Sequence, residues 1–149
     1  MTEITRRTDY AIRMLVELAR LPKGERLSTK RLCDLQGVPY PFARRIMTDL
    51  STTGLVATRR GSGGGAVLAR PAAAITLLDV ITLLGDDILL SACAHDESAC
   101  RYAEGCEVRH VWRAAEATLA RYLGSQDFAT LAATVPASGR SADERRPLP

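Results

Sequence analysis

No stretch of this chain is apolar for the roughly 20 residues that a membrane-spanning helix requires, so a bilayer-spanning helix is not expected. The opening residues, Met1-Thr2-Glu3-Ile4-Thr5-Arg6-Arg7, lack the unbroken apolar stretch and small-residue cleavage site of a secretory leader, and a cytoplasmic protein is expected. In that compartment the four cysteines are expected as reduced thiols or metal ligands, not as disulfides. Histidine is scarce, with only His95 and His110 in 149 residues. No Gly-Lys-Ser or Gly-Lys-Thr of a phosphate loop occurs, nor a nucleophile with an evident base, nor a carboxylate pair in a recognisable setting. An enzyme is therefore not expected. Internal repeats are absent as well.

What is present is an uneven charge. Residues 1–70 carry 13 Lys or Arg against 6 Asp or Glu, a balance of +7, whereas residues 71–149 carry 7 Arg and no Lys against 11 acids, a balance of −4. A basic half joined to an acidic half is what one polyanion-facing unit and one non-binding unit would show.

The hydrophobic pattern divides the chain further. Tyr10, Ile12, Met14, Leu15, Leu18 and Ala19 recur at a period near 3.6 and predict a helix over 5–20, stopped by Leu21-Pro22-Lys23-Gly24. Ser28 or Thr29 caps a short helix to about Gln36. Gly37-Val38-Pro39 makes a turn, and a third helix runs from Tyr40 to about Thr53, burying Phe42 or Ala43 with Ile46, Met47 and Leu50. Residues 55–60 and 66–70 read as strands around the glycine run Gly61-Ser62-Gly63-Gly64-Gly65, which makes a flexible hairpin turn. Beyond Pro71 come a helix over 75–84, a loop from about Gly85 to Gly105, a long helix from Glu107 to about Leu123, and a short apolar segment over 128–135. Val108, Val111, Ala115, Leu119 and Tyr122 repeat at three and four, the seam of a helix–helix contact. The expected organisation is a helix, turn, helix and hairpin unit over 1–71, a helix, cysteine loop and dimerisation helix over 72–135, and a disordered tail over 136–149.

Helix, turn, helix, hairpin is the order of a winged helix-turn-helix, and the expected fold class is mainly α with a two-stranded β wing. The second helix of such a unit enters the major groove. Here it presents Tyr40, Arg44, Arg45 and Thr48 away from its apolar stripe. The wing offers Arg59, Arg60 and Arg70 beside a tip of glycines and Ser62, suited to a narrow minor groove. The candidate DNA contacts are thus Tyr40, Arg44, Arg45, Thr48, Arg59, Arg60 and Ser62, and the expected partner is a double-stranded operator. Residues 61–66 also match the G-x-G-x-x-A dinucleotide pattern. That pattern needs a helix directly after it, and the strand-like Ala66-Val67-Leu68-Ala69-Arg70-Pro71 excludes it.

Cys93, Cys100 and Cys106 follow at gaps of seven and six positions. Zinc sites usually pair cysteines more closely, so a larger iron–sulfur centre fits this spacing better, with structural zinc or unligated thiols as the alternatives. His95 and His110 are the histidines near enough in sequence to add a ligand. Cys33, in the second helix, reads as a small packed residue. The acids Asp96, Glu97 and Glu104 outnumber Arg101 in the loop, which disfavours an activated thiolate.

Thr8-Asp9-Tyr10-Ala11-Ile12-Arg13, Gly54-Leu55-Val56, Arg60-Gly61-Ser62-Gly63-Gly64-Gly65, Asp79-Val80-Ile81 and the three downstream cysteines together resemble the bacterial iron–sulfur-cluster winged-helix repressors of the IscR, NsrR and RirA type. The resemblance spans about residues 4–135. It implies a homodimer built on the helix from Glu107 to Leu123. It also implies a 2Fe–2S or 4Fe–4S cluster on Cys93, Cys100 and Cys106, whose loss or reaction alters operator binding. IscR-like members place a histidine three residues after the third cysteine. Here that residue is Arg109, with His110 one position later. NsrR-like members, which respond to nitric oxide, use an aspartate of the first helix supplied by the other subunit. Asp9 occupies that position, so the resemblance favours Asp9 as fourth ligand, with His110 as the alternative. The implied signal is nitric oxide, iron or redox state. The competing reading is a winged-helix regulator whose cysteines hold zinc or act as a thiol switch.

Overall fold

The computed structural model describes residues 4–134, so the tail expected over 136–149 lies outside the described residues. Helix α1 (Arg6–Ala19) starts where the Thr5 hydroxyl accepts a hydrogen bond from the Thr8 amide at 3.3 Å. It buries Ala11, Met14, Leu15, Val16 and Leu18. Helix α2 (Thr29–Gln36) is capped by the Ser28 hydroxyl, which accepts from the Arg31 amide at 3.1 Å, and ends at Gly37 in the left-handed region (φ 64°). That turn leads into α3 (Tyr40–Thr52), with Pro39 at its N-cap and Pro41 in its first turn, where a missing amide hydrogen costs nothing. Between Phe42 and Ala43 the structure chooses Ala43 for the core. Phe42 is half-buried and meets the Tyr10 ring edge-on, with centroids 5.8 Å apart.

Strands β1 (Val56–Arg59) and β2 (Gly65–Leu68) pair antiparallel, from Val56 opposite Leu68 to Arg59 opposite Gly65. Leu27 joins them through reciprocal backbone bonds with Ala66 of 3.1 and 2.7 Å. The wing turn is shaped, not merely free of side chains. The Gly64 amide donates to the Gly61 carbonyl at 2.9 Å. A Cβ at Gly64 would stand 2.4 Å from the Arg59 carbonyl oxygen, and one at Gly65 (φ +133°) 2.9 Å from that of Leu27. Two of the glycines are thus required by close backbone approach.

Helix α4 (Leu77–Leu83) begins two residues later than the apolar pattern predicts, because Thr76 and Asp79 form a reciprocal capping box there. Ile75 is extended, and its carbonyl accepts the Phe128 amide at 3.0 Å. The stretch expected as a loop contains a single helical turn, α5 (Ala92–His95), and a 3-10 turn at Glu97–Ala99. Helix α6 (Glu107–Gly124) follows, then α7 (Phe128–Thr134). Phe128, fully buried, joins α1, α2, α3 and the hairpin in one apolar cluster, contributing about 2–3 kcal/mol by area. Among the described residues no helix is long and apolar enough to cross a membrane.

Candidate nucleic-acid interface and cysteine segment

The burial of Ala43, Ile46, Met47 and Leu50 leaves the opposite face of α3 to solvent, and Tyr40, Arg44, Arg45 and Thr48 are all exposed there. Tyr40, Arg44 and Thr48 share one hollow of about 350 Å³ with Arg60 of the wing, so helix and hairpin face the same space. Arg45 lies in an adjoining depression of about 310 Å³ with Pro41, Arg44 and Thr48. Arg59 and Ser62 are exposed on the wing outside both hollows. The Thr48 hydroxyl donates to the Arg44 carbonyl at 3.0 Å, which leaves its oxygen as an acceptor. Sequence reasoning missed the hydroxyls of Thr29, Ser51, Thr52 and Thr58, which line the same hollow. Ser51 and Thr52 could have been found from the helical pattern, about one turn beyond Thr48, whereas Thr29 and Thr58 join them only in the fold. Arginines and hydroxyls around one cleft suit phosphate and base-edge oxygens alike.

Cys93, Cys100 and Cys106 are half-buried free thiols, whereas Cys33 is buried. Burial, then the nearby Asp34 charge, pushes the Cys33 thiol up, only partly offset by a backbone hydrogen bond, which disfavours the thiolate. The donors of the 93–106 segment are right in kind for an iron–sulfur centre: three soft thiols on fourteen residues, none in a disulfide. Their side chains are not gathered, however. Among the described residues no three His, Cys, Asp or Glu groups stand together as metal ligands. Asp9 sits in the first turn of α1, its carboxylate 3.9 Å from Arg13 Nη1, and His110 is exposed on α6.

Two residues of α6 hold the cysteine segment. Arg109, nearly buried, donates from Nε to the Cys93 carbonyl at 2.7 Å and pairs through Nη1 with Glu97 at 2.8 Å. Glu116, also buried, accepts the Leu90 amide at 2.7 Å and meets His95 Nε2 at 2.8 Å. Burial alone would raise the Glu116 carboxyl, but the bonds from Leu90 and His95 and the His95 charge outweigh it and hold its pKa below the ordinary value. Counting charges along 93–106 missed Arg109, a cation that returns from the next helix. Because Glu97 is mostly exposed, the ion pair adds little, and the bond to the Cys93 carbonyl carries the effect. Arg109→Ala is expected to cost about 2 kcal/mol. It should also raise the rate at which Cys93 reacts with a thiol-titrating disulfide. An unchanged rate and melting temperature would remove the bracing role.

Comparison with known proteins agrees with this architecture. Residues 4–134 match the family model Rrf2, described as an iron-dependent transcriptional regulator. Protein aau3 of Rhizobium meliloti (strain 1021) is 36% identical over 114 residues, which cover 75% of this chain and 73% of that protein. CymR (YrzC), the global cysteine regulator of B. subtilis, superposes with a TM-score of 0.78 at 24% identity, over 91% of this chain and all (100%) of that one. IscR of T. potens superposes at 0.74 with 20% identity, over 93% of this chain and 92% of that one. At such identities the superpositions show the fold, and the family match shows the kinship. The chain belongs to the Rrf2 family, and is a winged-helix DNA-binding transcription regulator and not an enzyme.

Proposed function

We propose that the chain acts as a homodimeric repressor whose operator binding is set by an iron–sulfur cluster on Cys93, Cys100 and Cys106. Asp9, contributed across the dimer, completes the set, and His110 is the alternative. In this reading residues 1–71 read DNA through Tyr40, Arg44, Arg45, Thr48, Arg59, Arg60 and Ser62. Residues 72–135 sense and dimerise. The observation that carries the proposal is the triad of free, half-buried thiols on a segment that Arg109 and Glu116 fasten to α6. Cys93, Cys100 and Cys106 would hold a 4Fe–4S or 2Fe–2S cluster, which would supply iron chemistry responsive to nitric oxide, iron or redox state.

The protein's own part is mechanical. Arg109 keeps the Cys93 backbone against α6, and Glu116 holds the Leu90 amide and the His95 ring on the same helix. A change in the thiols' engagement is therefore felt by α6. The exposed apolar side chains of α6 (Val108, Val111, Trp112, Leu119 and Tyr122) supply the seam on which a second copy packs.

The test is the visible absorption spectrum, with iron and sulfide counts, of protein purified without air. Bound iron and sulfide with broad visible absorbance are expected, and Cys100→Ala should abolish them. Asp9→Ala should lose iron faster than His110→Ala, and the reverse order would transfer the fourth position to His110. Full iron and sulfide in Cys100→Ala would refute the ligand set. Colourless wild-type protein after reconstitution would leave zinc or thiol chemistry as the reading.

A further inference from the structure

One arginine of α1 reaches both the end of α4 and the last turn of α3 at the edge of the core. Arg7 donates through Nη2 to the carbonyl oxygen of Leu84, the C-cap of α4. Its Nη1 lies 3.7 Å from the Asp49 carboxylate, in the last turn of α3. Beside it, the Thr5 amide and hydroxyl both donate to Oδ2 of Asp86, at 3.1 and 2.9 Å. Residues 84–86 are where the chain leaves α4 for the cysteine segment. Burial alone would raise the Asp86 carboxyl, but hydrogen bonds from Thr8 and Thr5, with the charge of Arg7, outweigh it and hold it below its ordinary value.

We propose that Arg7 is a positioning residue for the DNA-reading helix, which carries the placement of residues 84–86 to Asp49 of α3. The guanidinium is planar and offers donors in fixed directions, so one side chain sets the spacing between the α4 terminus and α3. Both Arg7 and Asp49 are about two-fifths exposed. An ion pair so exposed contributes little to stability, so its consequence lies in where α3 sits. Asp86 fixes the other end by holding the first turn of α1, from which Arg7 projects, against the segment after α4. Displacement of residues 84–86 thereby reaches the recognition face through these two side chains, beside the core contacts that Leu84 itself makes. This inference rests on the proposed reading that α3 contacts DNA and that residues 93–106 sense.

The test uses the full-length, cluster-free protein and a duplex that the wild type selects from a randomised library, titrated by fluorescence anisotropy at several salt concentrations well below the melting temperature. Arg7→Ala and Asp86→Asn are each expected to weaken binding by about 3- to 10-fold. The double variant should be no weaker than Arg7→Ala alone, since both act through one strut. The salt slope should stay at the wild-type value, because neither side chain is assigned to a phosphate, whereas a lost phosphate contact lowers it by about one. If Arg7→Ala does not fold, Arg7→Lys, which keeps a charge near Asp49 but cannot bridge to Leu84 in the same plane, takes its place and should show a smaller loss of the same kind.

Wild-type affinity in Asp86→Asn, additive losses in the double variant, or a salt slope lowered by about one per subunit in Arg7→Ala would each overturn the proposal. Arg44→Ala is the control for the reading beneath it. Wild-type affinity in Arg44→Ala would overturn the role of α3 itself, and this inference with it. Weakened binding in Arg44→Ala with wild-type affinity in Asp86→Asn would overturn this inference alone.

Discussion

An Arg44→Ala, Arg60→Ala double variant is expected to bind duplex DNA at least about 1,000-fold more weakly than the wild type, since each well-placed arginine contact is worth about 1–3 kcal/mol and the proposed dimer would lose both contacts twice. The two side chains come from different elements, α3 and the segment after β1, yet line one hollow with Tyr40, Thr48 and Thr58. Both are exposed, and the exposed face of α3 lies opposite Ala43, Ile46, Met47 and Leu50, so the melting temperature should hardly move. Titration over a range of salt divides the roles. A phosphate contact lowers the salt slope by about one for each contact removed, hence about two per substituted arginine in the proposed dimer, and weakens cognate and scrambled duplexes alike. A base contact leaves the slope closer to its original value and narrows the gap between the two duplexes. Unchanged affinity for both duplexes would show that this hollow is not where DNA binds.

How much of this was legible in the sequence depends on the range of the interaction. The order of elements rests on local periodicity and punctuation, so α1, α2, α3, the hairpin, α6 and α7 lie within a residue or two of where the pattern puts them. Departures and open choices lie where a cap or tertiary packing decides. Ile75 continues the apolar rhythm of α4, but the Thr76–Asp79 capping box starts the helix later and frees Ile75 to bond with Phe128. The pattern leaves Phe42 and Ala43 both open as the buried residue, and packing decides between them: Ala43 is fully buried, and Phe42 turns to Tyr10. The glycine run was legible as a hairpin tip. Its requirement at Gly64 and Gly65 was not, because it arises from backbone oxygens, one of them on the distant Leu27.

The candidate sites divide in the same way. The exposed arginines of α3 follow from helical geometry alone, whereas the hydroxyls of Thr29 and Thr58 reach their hollow only through tertiary folding. For the cysteine segment, chain order shows the thiols and the acids between them. The braces Arg109 and Glu116 lie beyond the segment and act by returning to it. The resemblance to repressors that place a histidine three residues after the third cysteine makes Arg109 look like a missing ligand. In the fold it is a clamp on Cys93.

Replacing Val111 and Leu119 of α6 with glutamate is expected to convert a dimer into monomers and to lower operator affinity by roughly 1,000-fold, from the specific range towards non-specific binding. Val111 is 62% exposed and Leu119 37%, with Val108, Trp112 and Tyr122 continuing the apolar stripe. An apolar stripe of this kind on an exposed helix face is the surface that the proposed second copy would bury. The inner face of α6 is occupied already, since Arg109 and Glu116 hold the cysteine segment there. A two-fold contact would bring each substitution in twice, so two glutamates per chain place four carboxylates in one interface. Monomer folding should be spared, because neither position belongs to the apolar cluster built on α1 and Phe128. Sedimentation gives the mass, and the single tryptophan, Trp112, lies on the stripe and reports its exposure by a red shift in emission. Wild-type mass in the double variant would place the two-fold axis elsewhere. Monomers that keep wild-type operator affinity would show that one copy suffices to read DNA, and would sever the route by which the cysteine segment, clamped to α6, could control two reading helices at once.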